Sequence, residues 1–218
     1  MDARLPLFPL NTVLFPGQLL PLHIFEARYR QMIQECLQTG RPFGVVLIRR
    51  GEEVGEMAEA FEVGTTARIV QVEHLPDGGM NILCVGDARF RIAQTYTDQP
   101  YLLGHIDLWP WLPVEPNQAR PTSDRVRTQL GRYLELLSQI ADSAIHLDLP
   151  DEPAALATIA ASVLQIDPAE KQELLSTESI GDLLHQIDRL LQREIRGLQI
   201  VLAARFKPAA ESAPFSLN

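Results

Sequence analysis

Residues 5–33 read LPLFPLNTVLFPGQLLPLHIFEARYRQMI, and they contain the change of pattern that decides the fold. The stretch begins with short apolar runs at Leu5–Leu10, Val13–Phe15 and Leu19–Ile24, which predict extended strands. Proline cannot donate a backbone hydrogen bond to a sheet, so prolines in such runs favour strands at edges or bends. We therefore expect a curved, barrel-like beginning, with bends or edges at Pro6, Pro9, Pro16 and Pro21.

From Glu26 onward the apolar residues recur three and four positions apart, which is typical of one face of a helix. The residues of this face are Tyr29, Met32, Ile33, Cys36 and Leu37. Gly40 supplies the expected left-handed cap, since glycine adopts that conformation without strain. The run Phe43–Ile48 that follows is short, apolar and rich in valine, and it predicts a strand buried on both faces.

The middle of the chain predicts more strands. Residues 51–64 are acidic and contain glycine, and we interpret them as a loop or flap. The β-prone runs Thr65–Leu75 and Met80–Val85 flank Pro76-Asp77-Gly78-Gly79, whose turn residues predict a hairpin. Two further strands are predicted at Arg89–Ala93 and Tyr101–Trp109.

The second part of the chain has helical periodicity. Four prolines between Pro110 and Pro121 predict a stiff connector, and apolar residues at helical spacing follow it. Asp167-Pro168-Ala169-Glu170 and Ser179 with Asp182 carry the residues that cap helix starts. The predicted helical stripes begin at Val126, Leu156, Leu174 and Ile180.

These patterns predict an α+β protein, with a β-rich curved sheet or pseudo-barrel that includes one short helix, followed by a helical bundle. We expect a β-rich subdomain at residues 1–117, a helical subdomain at 118–207 and a disordered tail at 208–218. Because the apolar stripe of the last helix is wider than a small bundle needs, we expect part of it to pack on the β half and the halves to unfold together.

Charge and composition exclude several classes of protein. The formal net charge is -9 and the longest cationic cluster is Arg49-Arg50, so we expect no nucleic-acid partner. No stretch approaches the roughly 20 apolar residues needed to cross a bilayer, and Met1–Leu10 lacks the features of a signal peptide. We expect a cytoplasmic protein without a membrane partner, in which Cys36 and Cys84 are buried thiols.

Known catalytic and cofactor motifs are also missing. Lys171 and Lys207 are the only lysines, and neither adjoins a glycine-rich phosphate loop. The five histidines and two cysteines are far apart, without the spacing of a zinc site. There is no G-x-S-x-G nucleophile motif. We therefore expect no enzymatic activity, no cofactor and no metal, although a catalytic triad assembled in space would leave no trace in the sequence.

The stretch from residue 5 to 33 resembles the start of the N-terminal, substrate-binding domain of ATP-dependent Lon proteases. The resemblance is carried by Leu7, Phe8, Pro9, Leu10, Phe15, Pro16, Gly17, Pro21, Leu22, Phe25, Glu26, Arg28, Tyr29 and Met32. It continues in Phe43-Gly44-Val45-Val46, Val63-Gly64-Thr65, Val85-Gly86 and Arg89-Phe90, and in the helical segment from Asp167 to Leu175. A chain that ends at Asn218 has no room for ATPase and peptidase modules, so the resemblance implies the free-standing form known in many bacteria.

The physical interpretation of this block favours packing over ligand contact. Phe8, Phe15 and Phe25 are expected to form part of the core of the β half. Glu26 and Arg28 are two residues apart, so on a helix they point in different directions, and each is expected to hold a separate part of the backbone.

The resemblance implies a module that binds unfolded or extended polypeptide segments, as an adaptor or a protein quality-control factor. Two alternatives remain open: a sensor for a small molecule or a modified residue, bound between the halves, and an uncharacterised hydrolase. Trp109 and Trp111 are the candidate groove residues, because they flank the junction of the halves and tryptophan is enriched in binding hot spots. Packing between the halves is the competing interpretation of both indoles. We expect the groove to lie beside that junction, near an open strand edge.

Overall fold

The computed structural model describes residues 4–51, 59–143 and 147–205, which form six strands and five helices. The strands are β1 (Leu5–Leu10), β2 (Leu19–Ile24), β3 (Phe43–Arg50), β4 (Glu59–His74), β5 (Met80–Tyr96) and β6 (Leu102–Leu108). The helices are α1 (Ala27–Thr39), α2 (Pro116–Ala141), α3 (Pro153–Val163), α4 (Pro168–Leu175) and α5 (Ile180–Arg205).

The six strands form one mixed sheet that closes on itself. Their order is β2-β5-β4-β3-β1-β6, and β6 also pairs with β5. Closure is possible because β5 is 17 residues long: Met80–Val85 pairs with β2, and Phe90–Tyr96 pairs with β6. Strand β1 runs parallel to β3, while the other pairs are antiparallel. The predicted α+β class, with a curved sheet before the helices, is confirmed.

A turn before β2 fixes one end of the barrel. Gly17 has a φ of 82°, in the left-handed region, and its N–H donates to Gly86 O at 2.9 Å. Gly86 N donates in turn to Gln18 O at 2.9 Å. A Cβ on Gly86 would lie 2.3 Å from Phe15 O, so only glycine permits this approach. The contact holds Pro16 beside the middle of β5.

The core is shared between the two halves. One cluster lies between the barrel and α1 and includes Phe8, whereas another joins the barrel to the helices and includes Phe15. The expectation that Phe25 belongs to the core is wrong, because its side chain is 55% exposed at the end of β2. The side chains of Glu26 and Arg28 do not point apart as expected, since Arg28 Nε donates to Glu26 Oε2 at 3.0 Å. Glu26 lies at the N-cap, outside the helix.

Several predicted boundaries are confirmed and others are wrong. The hairpin at residues 76–79 joins β4 to β5, and Gly40 caps α1 with a φ of 65°. Residues 59–64 are strand rather than loop, because they pair with β3 and β5; residues 52–58 of the expected loop lie outside the described part. The run at residues 13–15 forms no strand, although Phe15 is fully buried.

The helical half begins earlier than its periodicity predicted. Helix α2 starts at Pro116 and includes Pro121, so the stiff connector is shorter than expected. Proline at that point removes one helical hydrogen bond, a cost that is opposed by the burial of Ala119 and Val126 in the flanking turns. Helix α4 begins directly after Asp167 as predicted, but the side chain of Asp167 makes no cap hydrogen bond. The capping prediction holds for Ser179, whose Oγ accepts from Asp182 N at 3.1 Å.

The predicted division of the chain at residue 117 stays a prediction, as does the joint unfolding of the two halves. The predicted tail at 208–218 lies outside the described residues.

A groove between the barrel and the helices as the candidate functional site

Arg89 connects the barrel to the helical half. It lies on β5 and is only 2% exposed. Its Nη1 donates to Leu175 O at 2.6 Å and to Thr177 O at 2.5 Å, at the carboxyl end of α4. Its Nε donates to Trp109 O at 2.8 Å, just after β6. The carboxyl end of a helix carries partial negative charge, so these carbonyl groups stabilise a buried cation that has no carboxylate partner among the described residues.

Both tryptophans pack around this arginine. The guanidinium carbon of Arg89 lies 4.1 Å from the centre of the Trp109 ring and 4.0 Å from that of Trp111. Arg91 also lies over Trp109, at 4.0 Å. Burial lowers the pKa of Arg89 to about 10, with a further contribution from the positive charge of Arg91. The indole faces are favourable neighbours for such a desolvated cation.

A groove opens beside this cluster, where α3 faces the barrel. Its volume is about 460 Å³ and its walls are almost entirely apolar. The lining residues are Pro16, Asp87, Ala88, Arg89, Leu108, Pro110, Trp111, Ala154, Ala155 and Thr158. The groove therefore contains residues of both halves.

Local structure explains why the groove exists. The turn at Gly17 and Gly86 places Pro16 at one wall, and the opposite wall is the first turn of α3, where alanines leave space. Glu152 holds that turn, since its carboxylate accepts hydrogen bonds from Ala154 N and Ala155 N. Leu108, at the end of β6, is 65% exposed and leaves apolar surface at the opening.

The two predicted site residues have different positions. Trp111 lines the groove, and its Nε1 donates to Thr177 Oγ1 at 2.9 Å. Trp109 is not among the lining residues, and two guanidinium groups already occupy its ring. Both indoles are half-buried and pack on the shared core. A direct contact of either indole with a ligand stays a proposal.

Sequence reasoning missed the α3 alanines and the central position of Arg89. Nothing in a helical apolar pattern distinguishes alanines that border a groove from alanines in a core. Arg89 had one weak signal, a positively charged residue directly before Phe90 within a β-prone run. Its carbonyl partners are 86 and 88 residues away in the chain, so no local pattern identifies them.

A second apolar surface lies along β2. Leu19 is 58% exposed and Phe25 is 55% exposed, and β2 has a hydrogen-bonded neighbour on one side only within the described residues. Gln18 O bonds to β5, so by strand alternation residues 19, 21 and 23 direct their backbone groups to the open side. The residue at the centre of this edge is Pro21, which has no N–H to donate.

Other features of the described residues argue neither for a metal centre nor for a membrane span. Within residues 4–51, 59–143 and 147–205, no three His, Cys, Asp or Glu side chains are grouped so that they could hold a metal ion. Across the same residues, no helix has the length and apolar character required to traverse a bilayer.

Comparison with known proteins decides the family. The model of the ATP-dependent protease La (LON) substrate-binding domain matches residues 4–193. The chain belongs to this family. Similar proteins include a Lon protease of Anaeromyxobacter dehalogenans, 27% identical over 198 residues, and a Lon protease 2 of Herpetosiphon aurantiacus, 29% identical over 206 residues. These alignments cover 89% and 90% of this chain but 24% of either relative, so the chain spans about a quarter of their length.

Two solved structures share the fold. A Lon N-terminal domain protein from Xanthomonas campestris superposes with a TM-score of 0.62 at 25% identity, over 85% of this chain and 96% of that chain. The N-terminal domain of the Lon protease of the Mycobacterium avium complex gives a TM-score of 0.64 at 16% identity, over 87% and 98%. The second likeness shows the fold alone. The Lon substrate-binding domain family is thus supported by both sequence and architecture.

Proposed function

We propose that this Lon-type domain binds exposed apolar segments of other polypeptides, with an apolar side chain of the segment anchored in the groove between barrel and α3. The observation that carries the proposal is the groove itself: about 460 Å³ of almost wholly apolar space, formed by both halves in a family defined by substrate binding. Burial of one large apolar side chain contributes about 1.5 to 3 kcal/mol, so single anchors should bind weakly.

An adaptor or quality-control role would follow from such binding, since unfolded chains expose apolar segments that folded chains bury. The proposal favours recognition by side chains over addition of a strand to β2. Pro21 removes the central donor of that edge, so an added strand would lack a hydrogen bond there.

A groove-filling substitution tests the site. In Ala155→Leu the larger side chain extends into the groove from α3, and leucine is a good helix former, so the fold should persist. Ala203→Leu is the matched control, because Ala203 is an exposed helical alanine on α5 that does not line the groove. Binding would be measured by fluorescence anisotropy with labelled ten-residue peptides that contain one Phe or Leu anchor.

Loss of one anchor of this size should weaken the affinity of Ala155→Leu at least about tenfold, since about 1.4 kcal/mol corresponds to a factor of ten. Ala203→Leu should bind as the unaltered protein does. Equal affinity of all three proteins would place the binding surface elsewhere. Leu19→Ser and Phe25→Ser would then test the β2 surface.

A second candidate function, the sensing of a small apolar molecule, is favoured by the volume of the groove. Small-molecule sites span roughly 300 to 1,000 Å³ and are mostly apolar, and this groove fits that description. A competition experiment distinguishes the two functions. At a polypeptide site, unlabelled peptide displaces labelled peptide. At a small-molecule site, an apolar dye binds and added peptide does not displace it. A dye that binds in the groove without any peptide competition would favour the sensor.

We further propose that the domain acts without catalysis. The purified protein should neither hydrolyse ATP nor cleave casein, with or without divalent metal, because the required motifs are missing from its sequence. Turnover that a point substitution in this chain abolishes would contradict this.

A further inference from the structure

We propose that the groove selects apolar anchors that are flanked by lysine or arginine, through the carboxylate of Asp87 at its rim. This inference rests on the proposed function, since it names the polypeptide segments that the same groove prefers. It depends on which charges near the groove can still meet a ligand.

The cations near the groove are either buried or outside its lining. Arg89 directs its Nε and Nη1 to three carbonyl groups, and its guanidinium lies between the indoles of Trp109 and Trp111. Its Nη2 has no hydrogen-bond partner among the described residues, but it is buried away from solvent. Arg91 lies over Trp109, beside but not among the lining residues. Neither guanidinium is therefore placed to attract an acidic flank of a bound segment.

The carboxylates remain accessible. Asp87 lines the groove on the barrel side and is exposed, and within the described residues it makes no ion pair or side-chain hydrogen bond. Glu152 is exposed immediately before the α3 wall, where its charge is partly balanced by the two N–H groups that it accepts. Asp87 is the carboxylate that retains its full capacity for a new partner. The net charge of -9 adds to the attraction of a cation.

Two physical contributions then combine. The apolar walls hold the anchor, and this part is insensitive to salt. Asp87 adds an exposed ion pair with the flanking residue, which contributes up to about fivefold in affinity and is screened at high ionic strength. The charge therefore discriminates among apolar segments that the groove alone would bind equally.

The test uses three peptides of equal length and one shared Phe anchor, flanked by Lys, Gln or Glu. At low salt the affinity should fall in the order Lys, Gln, Glu, by about two- to fivefold at each step. In 0.5 M NaCl the three affinities should converge on that of the Gln peptide. Asp87→Asn should remove most of the preference, and Asp87→Lys should reverse it. Asp124→Asn is the control, because it removes an exposed carboxylate of α2 that does not line the groove.

The possible outcomes separate the two proposals. Equal binding of the three peptides, or a preference that survives in Asp87→Lys, would overturn the role of Asp87 and leave the apolar groove intact. An identical loss of preference in Asp87→Asn and Asp124→Asn would assign the effect to net charge and overturn it too. Failure of all three peptides to bind the unaltered protein would contradict the proposed function itself.

Discussion

Replacement of Arg89 by methionine should destabilise the whole domain more than its single position on β5 suggests. The substitution removes the donors for Leu175 O and Thr177 O, which are buried contacts, and for Trp109 O, which is partly buried. A buried carbonyl group left without a donor costs about 1 to 3 kcal/mol. Each desolvated contact of the cation with an indole adds about 2 kcal/mol.

Removal of the buried charge has a stabilising effect that opposes these losses. Burial lowers the pKa of Arg89 from 12.5 to about 10, which reflects the cost of holding the charge away from water. Methionine removes that cost, on the order of 3 kcal/mol at 1.36 kcal/mol per pKa unit. The lost contacts outweigh the relief, but they act at one site and are not additive. We expect a net decrease of about 3 kcal/mol in the free energy of unfolding, at the low end of the range found when buried charged contacts are broken. For a domain of this size the melting temperature should fall by roughly 6 to 12 °C.

Urea unfolding followed by tryptophan fluorescence and by circular dichroism measures this change, because both indoles touch Arg89. Arg91→Met is the matched control: it removes a guanidinium from the face of Trp109, but Arg91 is exposed, so we expect a loss below about 1 kcal/mol. If Arg89→Met lowers the free energy of unfolding no more than Arg91→Met does, Arg89 does not hold the two halves together.

Further predictions concern other positions. Gly86→Ala should destabilise the domain by about 1 to 3 kcal/mol, because the added Cβ would lie 2.3 Å from Phe15 O. Gly131→Ala should instead stabilise α2 by about 0.5 to 1 kcal/mol, because no atom lies within 4 Å of the added Cβ. Thermal unfolding measures both changes. Burial raises the pKa of the Cys36 thiol to about 11 and that of the Cys84 thiol to about 12. At pH 8 an aromatic disulfide reagent should therefore react roughly 100-fold more slowly with Cys36, and roughly 1,000-fold more slowly with Cys84, than with a free cysteine, and fast reaction of the folded protein would contradict their burial. A hydrogen bond from an arginine of α5 lowers the pKa of Glu170 below 4.5. The contribution of this carboxylate to stability is thus present above pH 4.5 and is lost as the pH falls further. Between pH 6 and 3, the free energy of unfolding of Glu170→Gln should therefore decrease less than that of the unaltered protein.

Much of the fold could be predicted because its signals are local. The hairpin at residues 76–79 and the helix before Gly40 depend on a few adjacent residues, and both are as predicted. The start of β4 was missed because Glu59, Glu62 and Gly64 interrupt its apolar residues. Those residues form strand because β3 and β5 provide partners on both sides, which is a tertiary effect.

The candidate site was predictable only in part. The junction between the halves and Trp111 followed from the change of periodicity and from the preference of tryptophan for such positions. Phe25 was assigned to the core on its size, but it lies at the end of β2, where no other element covers it fully. The groove depends on close approach of residues 16, 87 and 154, which are far apart in the chain and belong to three different local patterns.

The most direct test of polypeptide binding in the groove uses the two indole N–H signals in a ¹H–¹⁵N spectrum, one from each tryptophan of the chain. Single Trp→Phe variants assign them. Titration with an apolar-anchor peptide should shift the Trp111 signal in a saturable way, together with the backbone amides of residues 87–89 and 154–158, and should shift the Trp109 signal less. Saturable shifts confined to other parts of the chain, or the absence of any saturable shift, would contradict binding in the groove.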